Sequence, residues 1–357
     1  MIEVLSKILV EKTTQSRLPE VDFDNIVFGK VFSDHMFVAD YKNGEWSNLK
    51  IQPYAPISLS PACAALHYGQ AIFEGMKAYK NEKGEIFLFR PTDNAKRINV
   101  SARRMCMPEI PEEIFMSALK QLVKMDSEWI PSGEGSSLYI RPFMFASEQL
   151  LGVRPADEYK FIIFTAPVNS YYSTPVNVKV EMEYSRATEG GAGFAKVAGN
   201  YGAALYPAKM GQDQGYQQLV WTDSVSHEYI EESGTMNVMF QIGNKLITPN
   251  LDFKTTLAGI TRDSVLTLAR EMGIEVEERR VSVKEIIAAA KSGELKDVFG
   301  TGTAATIAQI VSITLRDERF ELPATEKREL SNKISNKLLN IKKGREEDKY
   351  GWILKLK

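Results

Sequence analysis

Apolar and polar positions along the chain follow two periods, mixed without the regular strand-helix-strand rhythm of a doubly wound sheet. Short apolar runs bounded by turn residues predict strands at Ile86-Phe87-Leu88-Phe89, Leu138-Tyr139-Ile140-Arg141, Phe161-Ile162-Ile163-Phe164 and Gln218-Leu219-Val220-Trp221. The first follows a turn at Asn81-Glu82-Lys83-Gly84. Val176, Val178, Val180 and Met182 alternate with polar residues, the period of a half-buried strand. Asn237 to Gln241 and Leu246-Ile247 flank a turn at Gly243-Asn244, so they predict a hairpin.

Helical spacing appears elsewhere. Pro91, with Asp93 and Asn94, starts a helix that must stop before Pro108. Ile114, Phe115, Ala118, Leu119, Leu122 and Val123 recur on one face of a second helix, from Pro111-Glu112-Glu113 to about Ile130. Further helices are predicted at Thr261 to Met272, at Ser282 to Lys291 with a capping box of Ser282 and Glu285, and at Thr325 to Ile341. The mixture predicts an α+β fold. A loop rich in Asn, Ser, Tyr and Pro divides the chain into residues 1–168, a loop at 169–175 and residues 176–357.

Composition narrows the function. The 357 residues are 44% hydrophobic and 25% charged, as in ordinary globular proteins, and two domains are the default at this length. With 44 Lys+Arg against 46 Asp+Glu, the formal net charge of -2 gives no general attraction to nucleic acid or anionic membrane. Cys63 and Cys106, with His35, His67 and His227, are scattered and fit neither a disulfide framework nor a zinc site. No apolar run reaches membrane-spanning length and no apolar leader is visible, so a cytoplasmic location is expected.

The chemistry concentrates in Gly193-Phe194-Ala195-Lys196-Val197-Ala198-Gly199-Asn200-Tyr201. Most lysines are solvated surface charges. One among glycines and alanines lets a ligand approach its amine closely, the setting that carbonyl chemistry needs. An aromatic hydroxyl, Tyr201, and a carboxylate, Glu232, follow it; Glu232 is either a ring-nitrogen partner or, with Glu228 and Glu231, part of a solvated acidic turn. Leu257-Ala258-Gly259-Ile260-Thr261 offers helix-start amides to a phosphate. Phe299-Gly300-Thr301-Gly302-Thr303-Ala304-Ala305 reads as an anion-binding nest or, with Asp317, as a relaxed dinucleotide fingerprint. Arg97 has the bland reading of an exposed helix residue. Tyr139 and Arg141, two apart on a strand, share a face that suits a carboxylate ligand or an ordinary salt bridge.

Assembled, these segments closely resemble the branched-chain amino-acid aminotransferases, fold type IV of the pyridoxal-phosphate enzymes. The motifs that carry the resemblance are His67-Tyr68-Gly69 through Phe73-Glu74-Gly75-Met76-Lys77, Leu88-Phe89-Arg90-Pro91 and Tyr139-Ile140-Arg141-Pro142. The Lys196 segment, Glu232-Ser233-Gly234-Thr235-Met236-Asn237 and Phe299-Gly300-Thr301-Gly302-Thr303-Ala304 complete them. The likeness runs from about Val27 to Trp352. It implies a smaller N-terminal α/β domain and a larger C-terminal domain with a mixed, barrel-like β core, the site lying between them.

The resemblance also implies roles. Lys196 would form the Schiff base with pyridoxal 5'-phosphate and later shuttle the proton. Tyr201 would bond the phenolic oxygen, Glu232 would pair with the ring nitrogen, and Arg97, Ile260, Thr261 and Thr303 would hold the phosphate. The substrate cavity maps to Phe28, Tyr68, Phe73, Tyr139, Arg141, Tyr171, Thr235 and Ala304. Tyr68, Leu151 and Val153 match positions that reach a neighbouring subunit, which implies a homodimer. The implied reaction passes nitrogen from leucine, isoleucine or valine to 2-oxoglutarate. Where some mammalian relatives carry a redox-sensing C-x-x-C, this chain has Ala305 and Ala308, so thiol control is not expected there. The competing readings are a D-amino-acid aminotransferase, an aminodeoxychorismate lyase, a non-catalytic cofactor-binding relative and an NAD-dependent oxidoreductase.

Overall fold

Two large mixed sheets organise the chain, one in each of two units. The computed structural model describes residues 8–169 and 175–356. The first unit gathers the described residues of Met1–Tyr171, Ala195–Gly199 and Leu339–Lys357, and the second those of Tyr172–Phe194 and Asn200–Leu338.

In the first unit nine strands form one sheet. The order is Leu9–Val10, Glu45–Pro53, His35–Lys42, Tyr159–Val168, Ser137–Ala146, Met76–Lys80, Ile86–Phe89 and Ile353–Leu356, with Ala71–Phe73 also pairing Ser137–Ala146. Ser137–Ala146 is therefore central. It pairs Met76–Lys80 through Ile140 and Ala71–Phe73 through Phe143, leaving Glu74 and Gly75 to bridge the two short strands. Helix Pro91–Arg104 buries Ala95, Ile98 and Ala102 on one face. Helix Glu112–Met125 buries Phe115, Ala118, Leu119, Leu122 and Val123, as its spacing predicts, but stops short of Ile130. Asp126 ends it: that buried carboxylate accepts the His35 backbone N–H at 3.1 Å and lies 2.6 Å from the His35 ring Nδ1.

The second unit carries a ten-stranded sheet. Its order is Glu275–Arg279, Lys245–Pro249, Asn237–Ile242, Leu295–Gly302, Thr306–Leu315, Val176–Val180, Gln218–Thr222, Tyr229–Ser233 and Val281–Ser282, with Glu318–Glu321 on Thr306–Leu315. The ladder is open, not a closed barrel, among the described residues. Val178, Val220, Val238, Phe240, Ile247, Val298 and Ile310 fill its core. The predicted hairpin is present, with Phe240 opposite Ile247. Helix Val283–Ser292 starts at the expected cap, where Ser282 Oγ accepts the Glu285 N–H at 3.1 Å.

Two sequence readings change. Thr325 to Ile341 is not one helix: a short turn at Thr325–Lys327 precedes helix Glu329–Lys342. Arg328 breaks the run by turning its guanidinium inward to Asp297 Oδ1, 3.3 Å away, and to the Val298 carbonyl. The glycine/threonine segment is the turn of a hairpin, with Leu295–Gly302 running back as Thr306–Leu315 and Gly302 opposite Thr306. A dinucleotide fingerprint needs a helix after the glycines, so the dinucleotide reading fails there. No helix among the described residues is long and apolar enough to cross a membrane.

Candidate active site

Within the first unit, one face of helix Pro91–Arg104 organises the lysine. Asn94, Arg97 and Ser101 recur at helical spacing. Ser101 Oγ accepts the Lys196 backbone N–H at 2.9 Å, and the Phe73 N–H donates to the Lys196 carbonyl at 3.1 Å. Val197 bridges Ile72. Backbone bonds on both sides thus fix where the Lys196 side chain begins. Its Nζ lies 4.9 Å from the centre of the Phe73 ring, and the Arg141 guanidinium carbon lies 4.7 Å from the same ring centre.

Arg141 and Tyr139 share a face of Ser137–Ala146, as strand alternation requires, and Arg141 Nη2 donates to the Tyr139 hydroxyl at 3.0 Å. The buried Nε of Arg141 has no hydrogen-bond partner among the described residues. Phe28 packs edge-on against Tyr139 with ring centres 5.3 Å apart. The structure therefore brings Phe28, Phe73, Tyr139, Arg141 and Lys196 together. Gly75 belongs with them, because a Cβ there would lie 2.2 Å from the Tyr139 hydroxyl oxygen. Tyr68 ends the short helix Ala64–Tyr68 and is exposed. Leu151 and Val153 are also exposed, Val153 at 91%. Tyr171 lies outside the described residues.

Arg97 is not an exposed helix residue. Its Nε and Nη2 donate to Glu74 Oε1 at 2.7 Å and Oε2 at 2.9 Å, a two-pronged pair with a carboxylate that is 0% exposed. Burial pushes the Glu74 carboxyl up. The charge and hydrogen bonds of Arg97, with Lys196 and Asn94, outweigh that and hold it below the ordinary glutamate value.

The second unit gathers a different set around Glu232. Tyr229–Ser233 is a strand, so the solvated-turn reading of Glu231 and Glu232 fails, and Glu232 is 3% exposed. Glu232 Oε1 accepts the Leu257 N–H at 2.9 Å and Asn237 Nδ2 at 3.2 Å. Arg186 Nε stands 2.8 Å from Oε2, as an ion pair more than an aligned hydrogen bond. Arg186 Nη2 in turn donates to the Gly193 and Thr255 carbonyls. Asn237 also donates to the Leu257 carbonyl at 2.9 Å. Its side-chain oxygen lies 2.0 Å from where a Gly259 Cβ would stand, so this approach requires glycine. Gly259, which has no side chain of its own to cap with, leads into helix Ile260–Glu271. Ile260 and Thr261 are thereby tied to Glu232 through Asn237 and the loop.

Thr235 sits in the tight turn between Ser233 and Met236, and its carbonyl lies 3.9 Å from where a Gly302 Cβ would stand. Thr303 and Ala304 follow Gly302 in the hairpin turn. Tyr201 is half-buried on helix Ala198–Ala203. Glu231 points away from Glu232 by strand alternation. Burial pushes its carboxyl up to about 7, against a Thr255 hydrogen bond and the charge of Arg186. Glu74, Gly75, Asn94, Arg186 and Asn237 escaped the sequence reading as functional candidates. Only the motifs containing Glu74, Gly75 and Asn237 gave any signal for them.

Comparison with known proteins follows the same lines. The family description "Amino-transferase class IV" matches residues 71–313. A "Probable branched-chain-amino-acid aminotransferase" of Staphylococcus epidermidis is 46% identical over 351 residues, 97% of each chain. The crystal structure of the Escherichia coli branched-chain amino acid aminotransferase superposes with a TM-score of 0.74 at 26% identity, over 91% of this chain and 99% of that one. A branched-chain amino acid aminotransferase of Thermobaculum terrenum, solved in its PLP form, has a TM-score of 0.73 at 23% identity, over 91% and 98%.

Proposed function

Because the chain belongs to the class IV aminotransferases, among the branched-chain-amino-acid enzymes, we propose that it transfers the amino group of L-leucine, L-isoleucine or L-valine to 2-oxoglutarate. The products are the branched-chain 2-oxo acid and L-glutamate, with pyridoxal 5'-phosphate as cofactor. One observation supports the reading: an amine, Lys196 Nζ, and a guanidinium, that of Arg141, lie 4.9 Å and 4.7 Å from the same Phe73 ring centre.

The donor set fits the cofactor chemically. It offers a lysine held at its backbone, a buried carboxylate braced by an arginine, and a helix start led by glycine. When bound, pyridoxal phosphate supplies the electron sink that makes an amino acid's Cα–H acidic. Lys196 Nζ would hold the cofactor's aldehyde carbon and, once displaced, carry the proton to and from Cα. Glu232 would keep the ring nitrogen protonated; Arg186, Asn237 and the Leu257 amide hold that carboxylate still. Tyr201 would donate to the phenolic oxygen, and Arg97, Ile260, Thr261 and Thr303 would receive the phosphate.

The substrate pocket must accept an aliphatic side chain and a carboxylate in turn. Phe28, Tyr68, Phe73, Tyr171, Thr235 and Ala304 would line it, with aromatic walls that stabilise a buried aliphatic chain by roughly 1.5–3 kcal/mol. Arg141 with the Tyr139 hydroxyl would take the distal carboxylate of glutamate, which the partnerless Arg141 Nε supports. We assign residues 1–168 and 176–357 to two domains joined by 169–175, a homodimer using Tyr68, Leu151 and Val153, and a cytoplasmic location. Incubation with L-leucine and 2-oxoglutarate should yield glutamate, whereas D-alanine with 2-oxoglutarate should not. The reverse preference would assign the D-amino-acid chemistry instead.

A further inference from the structure

We propose that Glu74 is a positioning residue of this site: one buried carboxylate that orients the Arg97 guanidinium and serves as counter-charge to Lys196. This inference rests on the roles given above to Lys196 and Arg97, and adds a third member that sets their charge. Glu74 occupies the bend between Ala71–Phe73 and Met76–Lys80, where its N–H donates to the Pro142 carbonyl at 2.7 Å. Its carboxylate accepts four hydrogen bonds. Arg97 Nε reaches Oε1, while Arg97 Nη2 at 2.9 Å, Asn94 Nδ2 at 2.8 Å and the Gly75 N–H at 3.1 Å reach Oε2.

Asn94, Arg97 and Ser101 come from one helix face, and Ser101 fixes the Lys196 backbone. One rigid element thus sets the positions of carboxylate, guanidinium and lysine relative to each other. Two prongs on the Nε edge of Arg97 leave its other N–H groups a fixed direction. Charge completes the argument. With Glu74 ionised, Arg97, Lys196 and Glu74 sum to one positive charge at most; without it, two half-buried cations lose the one buried anion between them and neutrality. The Lys196 charge is among the causes that hold the Glu74 carboxyl down, and by reciprocity the Glu74 anion favours a positive charge at residue 196.

The test is a pH titration of the visible absorption of the protein loaded with excess pyridoxal phosphate, alongside thermal melting. The variants are Glu74→Gln, Arg97→Met, the double variant and Glu74→Asp. Losing the anion should lower the pH midpoint by about 1–2 units in Glu74→Gln. Losing the cation should raise it in Arg97→Met, and the double variant should return near wild type. Glu74→Asp, which keeps the charge, should move it least. A merely structural ion pair would lower the melting temperature of the single variants and leave every midpoint in place, and that result overturns the proposal. If Glu74→Gln does not fold, the double variant has no lone buried charge, and its midpoint must fall below that of Arg97→Met; equality overturns the proposal. A wild type that takes up pyridoxal phosphate without any visible band would instead overturn the reading of Lys196 itself.

Discussion

Gly75→Ala is the most informative single substitution in the proposed pocket. The added Cβ would stand 2.2 Å from the Tyr139 hydroxyl oxygen and 3.0 Å from the ring carbon bearing it. The first distance is far inside van der Waals contact, so the Tyr139 hydroxyl end must move away. Tyr139 has little room to do so. It is buried, and Phe28 packs edge-on against it at 5.3 Å. The movement therefore breaks the 3.0 Å bond from Arg141 Nη2 and turns the hydroxyl out of the shared carboxylate site.

A hydrogen bond to a charged group contributes about 1.5–3 kcal/mol, which corresponds to roughly 10- to 150-fold in an equilibrium. That loss falls on the substrate whose distal carboxylate uses Arg141 and Tyr139. An aliphatic substrate keeps its contacts with Phe73 and loses less. Steady-state kcat/KM should fall at least about tenfold more for L-glutamate than for L-leucine, and thermal melting should confirm a folded protein. Parallel losses for the two substrates, or no loss for either, would refute the assignment of Arg141 and Tyr139 to the glutamate carboxylate.

Glu231→Gln tests the buried acid beside Glu232. Glu231 binds its proton more tightly folded than unfolded, so its contribution is full below about pH 4.5 and is lost as the pH rises through about 7. The glutamine variant should therefore gain up to about 2–3 kcal/mol over wild type at pH 8, but little at pH 4.5; chemical denaturation at both values measures this. Ser282→Ala removes the side chain that caps helix Val283–Ser292 and should cost about 1 kcal/mol in the same assay, with leucine turnover unchanged.

Local signals were readable where a single segment decides its own structure. Helix Val283–Ser292 is one case, since the capping box of Ser282 and Glu285 marks its start locally and Ser282 caps it as expected. The hairpin through Gly243 is another. The missed strands depend on distant partners. Ile353–Leu356 is an edge strand with an exposed lysine, and it takes its place from pairing with Ile86–Phe89. Thr306–Leu315 showed β-branched residues and no helical face, yet only its pairing with Leu295–Gly302 and Val176–Val180 makes it a central strand.

The candidate site divides the same way. Tyr139 and Arg141 could be paired from strand alternation alone. Glu232 could not be told from a solvated acid, because Arg186, Asn237 and the Leu257 amide reach it from separate segments. Glu74 had no local mark beyond its motif, since the helix residues that define it arrive only on folding.

The central claim concerns one amine. Purified protein incubated with pyridoxal phosphate, reduced with borohydride and digested should carry the phosphopyridoxyl mass on the peptide containing Lys196, and Lys196→Ala should remove both the label and multiple turnover. Stoichiometric label on another lysine, or sustained wild-type turnover by Lys196→Ala, would contradict the account.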